Sequence, residues 1–499
     1  GTGPLDSNAD ADLMKYTAAN ITGRIQITSM WYDELDRLEE TVAYGTYGIV
    51  GDGSTTTGTF DRTGMTVPSR SATALRTSYT YTYDAGGGTT RDDGRLHEVT
   101  DPGAKVARTL FDAADRTTAR IRNYVNGTPS GEAGDDDVYT RFDYAYGRMY
   151  RLWVDLDGDG TVDTSDPPDQ ATRYIYGTVK ASPSAMKITT GHLLKAVVYP
   201  DSTNPGTTTA YIDGTSSADV VSYAYNAQGQ VTYTKDQAGN IIETDYDTGG
   251  RETHRRATTV VSPFDTAVKR ISTTYTGRGE VDLVTQYDHA TVGSGSVTDQ
   301  VQFAYDGWGN VLSFTQDPDS VISGGSGRGS YSVSHTYAKA TSGRNTVRRA
   351  STMIPGETIG YVYSSGIDGS SSRVSSMTRS ETVGGTTTYV TIASYKYIGV
   401  AQLVGTDLNE PNIYDRMYGS STGDYPDLDR FDRVIKSKWV RGSSTPRNFY
   451  DLDIAYDENS NITHVEDNIH TSGTSGGGDG LYDVAYTMDG LDRLQRAEE

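Results

Sequence analysis

Aromatic and polar residues alternate through much of this chain. In SYTYTYD, Tyr79, Tyr81 and Tyr83 fall on one side of an extended segment, and the hydroxyl residues fall on the other. Phe142, Tyr144 and Tyr146 repeat the pattern, as do the pairs Tyr174/Tyr176, Tyr223/Tyr225, Tyr361/Tyr363 and Tyr395/Tyr397. A period of two describes a strand with two unlike faces. No stretch of useful length carries a 3.6-residue period, and residues 7–20 are the one weak helix candidate. The pattern predicts many short strands joined by turns.

The turns have a spelling of their own. In YNAQGQVTYTKDQAGNIIETDYDTGGR, Tyr225-Asn226 precedes Gly229 and Tyr246-Asp247 precedes Gly250, both with a step of 21 residues. The same form starts at Tyr32, Phe111, Tyr275, Tyr305, Tyr425, Tyr456 and Met488. Asp or Asn caps a hairpin turn with its side chain, and Gly three residues later takes the left-handed conformation. Asp36, Asp115, Asp429 and Asp492 are read as stand-ins for that Gly, since Asp tolerates left-handed backbone better than most residues. A second turn often follows, as at Asp236/Gly239 and Asp101/Gly103. Tyr223 and Tyr225 are expected to share a sheet face with the Tyr of neighbouring strands, ring against ring. Gly/Ser/Thr-rich tracts at 45–78, 201–219, 290–299, 319–330, 364–389 and 470–479 read as surface loops. None looks like a linker, so residues 1–499 are read as one continuous repeat domain. Capped turns of this kind imply antiparallel hairpins, which argues against a parallel β-helix enzyme of similar period.

These motifs resemble the YD repeat of the RHS family, with the clearest units at 220–256, 300–320 and 450–499. The resemblance implies an all-β antiparallel array that curls into a spiral hollow shell or tube wall. Bacterial toxin-complex shells and the teneurins belong to that group. It implies a container or scaffold and no catalyst. Toxin-bearing members end in a self-cleaving core segment with a DPxG-style consensus. Here TDPGAK, at Thr100–Lys105, comes too early and belongs to a repeat. The chain starts without Met and stops inside LDRLQRAEE, so it reads as a piece of a longer polypeptide.

Composition narrows the partners. Of the 499 residues, 44 are basic and 66 acidic, a net charge of −22, which argues against nucleic acid and anionic membranes. There is no Cys, hence no disulfide or thiolate chemistry. No apolar run is long enough to span a membrane as a helix.

One stretch carries metal chemistry. DLDGDGTVDTSD places Asp155, Asp157, Asp159, Asp163 and Asp166 at positions 1, 3, 5, 9 and 12 of an EF-hand-type calcium loop, with Gly160 at position 6. Thr161 would offer its backbone carbonyl, Asp163 would act through water, and Asp166 stands where Glu is usual. The flanks YGRMYRLWV and ATRYIYG look like strands, so the loop is expected to clip a hairpin without EF-hand helices. Five carboxylates so close should splay the loop unless Ca²⁺ binds. The bland alternative is an acidic surface loop with no ion. The run Asp135–Asp137 reads as a solvated turn. The seven His are scattered, and no P-loop or nucleophile elbow is present.

The sequence therefore predicts a non-enzymatic, extracellular or cell-surface bacterial scaffold that binds Ca²⁺. Its partners would be other copies of itself or an enclosed polypeptide. The alternatives are a self-assembling filament or tube subunit and a calcium-dependent adhesin.

Overall fold

A computed structural model describes residues 15–16, 26–46, 60–61, 65–84, 90–129, 134–161, 170–182, 184–200, 219–322, 328–339, 347–364, 368–369, 371–383, 385–399, 402–420, 424–442, 445–469 and 483–498. Among them, thirty strands form one long antiparallel sheet in which partners are neighbours in chain order. Two short pairs stand apart from it, Lys15–Tyr16 with Phe60–Asp61 and Thr82–Asp84 with Thr90–Asp92. Lys15–Tyr16 falls inside the weak helix candidate and is strand. The rest of that candidate lies outside the described residues. Helical backbone among the described residues is confined to Asp368 and Gly369.

The chain divides into two compact units. One comprises Gly1–Tyr139, Val362–Thr378 and Thr391–Glu499; the other comprises Thr140–Tyr361 and Arg379–Val390. Among the described residues, each buries small apolar clusters. In the first unit, Ala119, Ile121 and Tyr139 form one such cluster. In the second, Met186, Ala224 and Tyr225 form another.

The repeated turn explains the spelling of the sequence. At Asn226, the side-chain oxygen accepts the amides of Gln228 and Gln230, both at 3.0 Å. The Gly229 amide donates back to the Asn226 carbonyl at 3.1 Å, and Gly229 has φ of 84°. The register then slips by one residue so that Tyr225 faces Val231. This is a type I turn followed by a left-handed bulge, which suits the twist of a hairpin. Turns at Asp247–Gly250 and Asp306–Gly309 repeat it. The fifth residue adds a lock. Arg251 Nε donates to Asp247 Oδ2 at 2.7 Å, and Asn310 Nδ2 donates to Asp306 Oδ2 at 2.8 Å. The Arg251 amide, then its guanidinium, holds the Asp247 carboxyl below its ordinary range.

The repeat aromatics act differently from expectation. Tyr223 faces Thr234 across the strands. Instead of stacking ring on ring, several repeat Tyr send their hydroxyls to a carbonyl just beyond an earlier turn of the series. Tyr246 donates to Val231 O at 2.8 Å, Tyr275 to Glu252 O at 2.7 Å, Tyr305 to Val281 O at 2.8 Å and Tyr456 to Val434 O at 2.8 Å. Two fifth-position Arg lie over a later Tyr: Arg251 is 4.5 Å from the Tyr275 ring centre and Arg433 is 4.8 Å from that of Tyr456. One aromatic thus ties a strand to the preceding turn by a hydrogen bond and a cation–π contact. A cross-strand ring pair of the expected kind occurs at Phe303 and Phe314, 6.4 Å apart.

Two turn assignments shift. In YPDLDRFDRV, Asp429 is the cap, accepting the Phe431 and Arg433 amides at 2.8 and 2.9 Å, and Asp432 takes the left-handed position with φ of 63°. At Asp101 the left-handed residue is Ala104, φ 66°, and not Gly103. Of the tracts read as loops, 201–218 and 470–479 lie outside the described residues. The tract at 364–389 contains the strand Ser376–Val383 and the start of Thr386–Ile398, because its Thr, Tyr and Val favour extended backbone. Strands also enter 45–78 at Leu75–Thr80 and 290–299 at Val297.

Within the first unit, turns near one end of the chain dock on segments near the other. Thr46 N donates to Arg430 O at 2.6 Å, and Arg430 Nε donates to Tyr44 O at 2.9 Å. Gly103 N donates to Asn459 Oδ1 at 2.7 Å, Lys105 Nζ reaches Asp492 Oδ1 at 2.6 Å, and Gly490 N donates to Asp135 Oδ2 at 2.9 Å. These three successive turns, at 429–433, 457–461 and 489–493, form a seam. Asp135–Asp137 belongs to it and is no solvated turn. Asp137 is fully buried and accepts the amides of Val125, Asn126 and Gly127 at 3.0–3.1 Å.

Candidate metal site

The acidic loop closes a hairpin, as the flanking patterns predicted. The strand Arg148–Asp155 ends at its first carboxylate, and Gln170–Thr178 returns beside it with Val154 facing Gln170 and Trp153 facing Ala171. The side chain of Asp155 anchors the loop. Its Oδ1 accepts the Gly158 amide at 2.7 Å, and its Oδ2 accepts that of Gly160 at 3.1 Å. Asp157 Oδ1 takes the Asp159 amide at 3.1 Å, and Asp159 takes the amide and hydroxyl of Thr161 at 2.6 and 2.7 Å. Gly158 and Gly160 have φ of 77° and 81°, the sharp bends the motif requires of its glycines.

As a result, carboxylate oxygens of Asp155, Asp157 and Asp159 lie within 4.8 Å of one another. Asp163 and Asp166, the other two acidic positions, lie outside the described residues. The three that are described suit a hard divalent cation in donor type, since each offers a carboxylate oxygen to the group. Arg141 supplies a positive charge among them. Its guanidinium is bonded to Asp155 Oδ2, and Nη2 donates to Gly158 O at 3.2 Å. Burial nonetheless pushes the Asp155 carboxyl above its ordinary range, with Arg141 working in the opposite direction. Nothing in the loop sequence announces Arg141, which sits on the preceding strand Val138–Ala145.

A second group of carboxylates escaped the sequence reading. Asp415, on the strand Ile413–Arg416, lies near Asp427, and Lys436, Lys438, Asp451 and Asp453 surround that residue. Lys436 Nζ is 3.3 Å from Asp451 and 2.7 Å from Asp453. Asp415 Oδ1 is buried and finds no donor among the described residues. Burial first, and the charge of Asp427 second, push the Asp415 carboxyl up to about 6. The folded chain therefore holds this proton more tightly than the unfolded chain does. The stabilisation it brings is complete below about pH 4, the ordinary carboxyl value, and is lost as pH rises through 6. Asp415→Asn should match the wild type near pH 4 and exceed it in melting temperature at pH 7.5. A stability difference that stays constant over pH 4–7.5 would refute the assignment.

Comparison with known proteins adds the fold. No protein-family model matches the sequence, and no curated protein matches it. The crystal structure of TcdB2-TccC3 matches 95% of this chain with a TM-score of 0.51 at 15% identity. In fold, the chain is similar to part of TcdB2-TccC3. The form of TcdB2-TccC3 without its hypervariable C-terminal region gives a TM-score of 0.50 at 14% identity over the same share. The chain spans only about a quarter of these proteins, 24% and 23% of their lengths. The likeness agrees with the RHS-type shell resemblance read from the YD motifs, at the level of fold. Among the described residues, no helix is long and apolar enough to cross a membrane.

Proposed function

We infer that this chain is a structural, non-enzymatic wall segment of an RHS-type shell, extracellular or at a bacterial cell surface, with one loop clipped by Ca²⁺. The observation that carries the reading is the repeated lock of capped turn, fifth-position Arg or Asn, and Tyr hydroxyl. It ties several strands to earlier turns and stiffens the sheet locally. The likeness in fold to TcdB2-TccC3 supports the same reading. An enclosed polypeptide is the partner this reading favours; assembly of copies into filaments, and adhesion, are the alternatives. Negative-stain images of the purified protein separate them. Curved, hollow walls are the expected result, and long filaments would replace the shell reading with self-assembly.

In the calcium part of the reading, Asp155, Asp157 and Asp159 are joined by Thr161 through its carbonyl and by Asp163 and Asp166. Ca²⁺ should bind with measurable heat and protect the bonds between Val154 and Pro167 from proteases, while the flanking repeats resist in EDTA as well. Mg²⁺ should substitute poorly, since it demands a tighter octahedron. Identical cleavage with Ca²⁺, Mg²⁺ and EDTA, together with no heat, would leave an acidic loop only.

A further inference from the structure

We propose that Arg141 is a built-in rival of the divalent ion: its guanidinium fastens the first half of the acidic loop and competes with the ion for the buried carboxylate of Asp155. The proposal rests on the calcium reading above and adds to it the residue that regulates the site. Arg141 lies 14 residues before Asp155, outside the twelve-residue motif. Its Nε bonds the first ligand position, its Nη2 bonds the carbonyl of the fourth, and its guanidinium carbon lies 3.5 Å from where a side chain on the sixth, Gly160, would begin. One planar cation thus touches three points of a loop whose sequence is built to surround a different cation.

At Asp155 three of about four acceptor sites are taken, two of them on the oxygen that Arg141 holds. A carboxylate oxygen has about two acceptor sites. Oδ1 serves the Gly158 amide; Oδ2 serves the Gly160 amide and Arg141. The side chain of Asp155 has no solvent exposure, so water cannot screen a second cation brought against it. Arg141 cannot yield by losing a proton, because a guanidinium stays charged in proteins. It yields by moving. Its side chain keeps 19% of its exposure, and the ring of Trp153 lies 5.7 Å away and offers a face on which a displaced guanidinium can rest. The ion must therefore compete with a bonded side chain as well as with water, which sets the affinity below what the loop sequence alone would give.

Calorimetric titration of the whole chain with Ca²⁺ tests this, with wild type, Arg141→Gln and Arg141→Lys compared and folding checked by circular dichroism. Arg141→Gln should bind Ca²⁺ about tenfold more tightly, as expected for removing one nearby positive charge. Arg141→Lys keeps the charge without the planar fork and should lie between the two. Ca²⁺ should also change the tryptophan emission of the wild type, and Trp153→Phe should remove that change. Equal or weaker Ca²⁺ affinity in Arg141→Gln overturns the role of Arg141 while the calcium site stands. If Arg141→Gln does not fold, an affinity of Arg141→Lys no tighter than that of wild type overturns it. An absence of binding heat in every folded protein overturns the calcium reading and this proposal together.

Discussion

Tyr225→Ala should lower stability to urea by about 3–5 kcal/mol, the range for truncating a large buried aromatic. Tyr225 is 6% exposed and packs against Met186 and Ala224, with Leu193, Tyr223, Val231 and Tyr233 around them. Its hydroxyl donates to Leu194 O at 2.6 Å. Removing the ring therefore opens a cavity and leaves that carbonyl without its partner. Tyr225→Phe separates the two effects: it keeps the packing, loses the hydrogen bond, and should cost about 1 kcal/mol. A loss within about 0.5 kcal/mol for the alanine variant would mean that this aromatic and its bond to Leu194 O are dispensable.

A comparably large loss is expected from a single methyl group at the seam. Gly45 has φ of 69°, and a Cβ placed there would stand 2.2 Å from the Arg430 carbonyl oxygen and 2.7 Å from its carbon. Both atoms are backbone and cannot rotate aside. The same oxygen accepts the Thr46 amide and Gln26 Nε2, so pushing it away breaks two hydrogen bonds of the seam. Gly45→Ala should cost roughly 2–5 kcal/mol, combining left-handed strain with overpacking. Gly94→Ala is the control. Its φ is 80°, but nothing lies within 4 Å of the added carbon, so only the strain of about 1–2 kcal/mol applies. Hydrogen exchange at the Thr46 amide should quicken in Gly45→Ala and stay unchanged in Gly94→Ala. Equal losses in the two variants would show that the seam contributes nothing to stability.

The hairpins were legible because every signal for them is local. A cap, a left-handed residue and an aromatic fall within six positions, and the turns at Asn226, Asp247 and Asp306 stand where that spelling puts them. The frame slipped at Asp429 because counting from Tyr425 puts Asp429 at the left-handed position, whereas the Asp-x-x-Asp spacing of the turn runs from Asp429 to Asp432. The lock of the fifth residue was in plain view as a recurrent Arg or Asn, and went unread because a side chain pairing back four positions looks like any polar surface residue. Arg141 and the burial of Asp137 were not legible at all. Each depends on which strand lies beside which, and the turn spelling is the same at every repeat.

Two kinds of contact hold the first unit, and they differ in when they can form. The turn locks join residues a few dozen positions apart at most, so each can close soon after its hairpin leaves the ribosome. The seam joins Gly103 to Asn459 and Asp135 to Gly490, partners 356 and 355 residues apart. At a synthesis rate of roughly 5–20 residues per second, Asp135 waits on the order of tens of seconds before Gly490 exists. Throughout that interval the early strands carry finished hairpins and an uncovered flank. Until the turns at 457–461 and 489–493 are made, that flank stays open to proteases and to stray strand pairing.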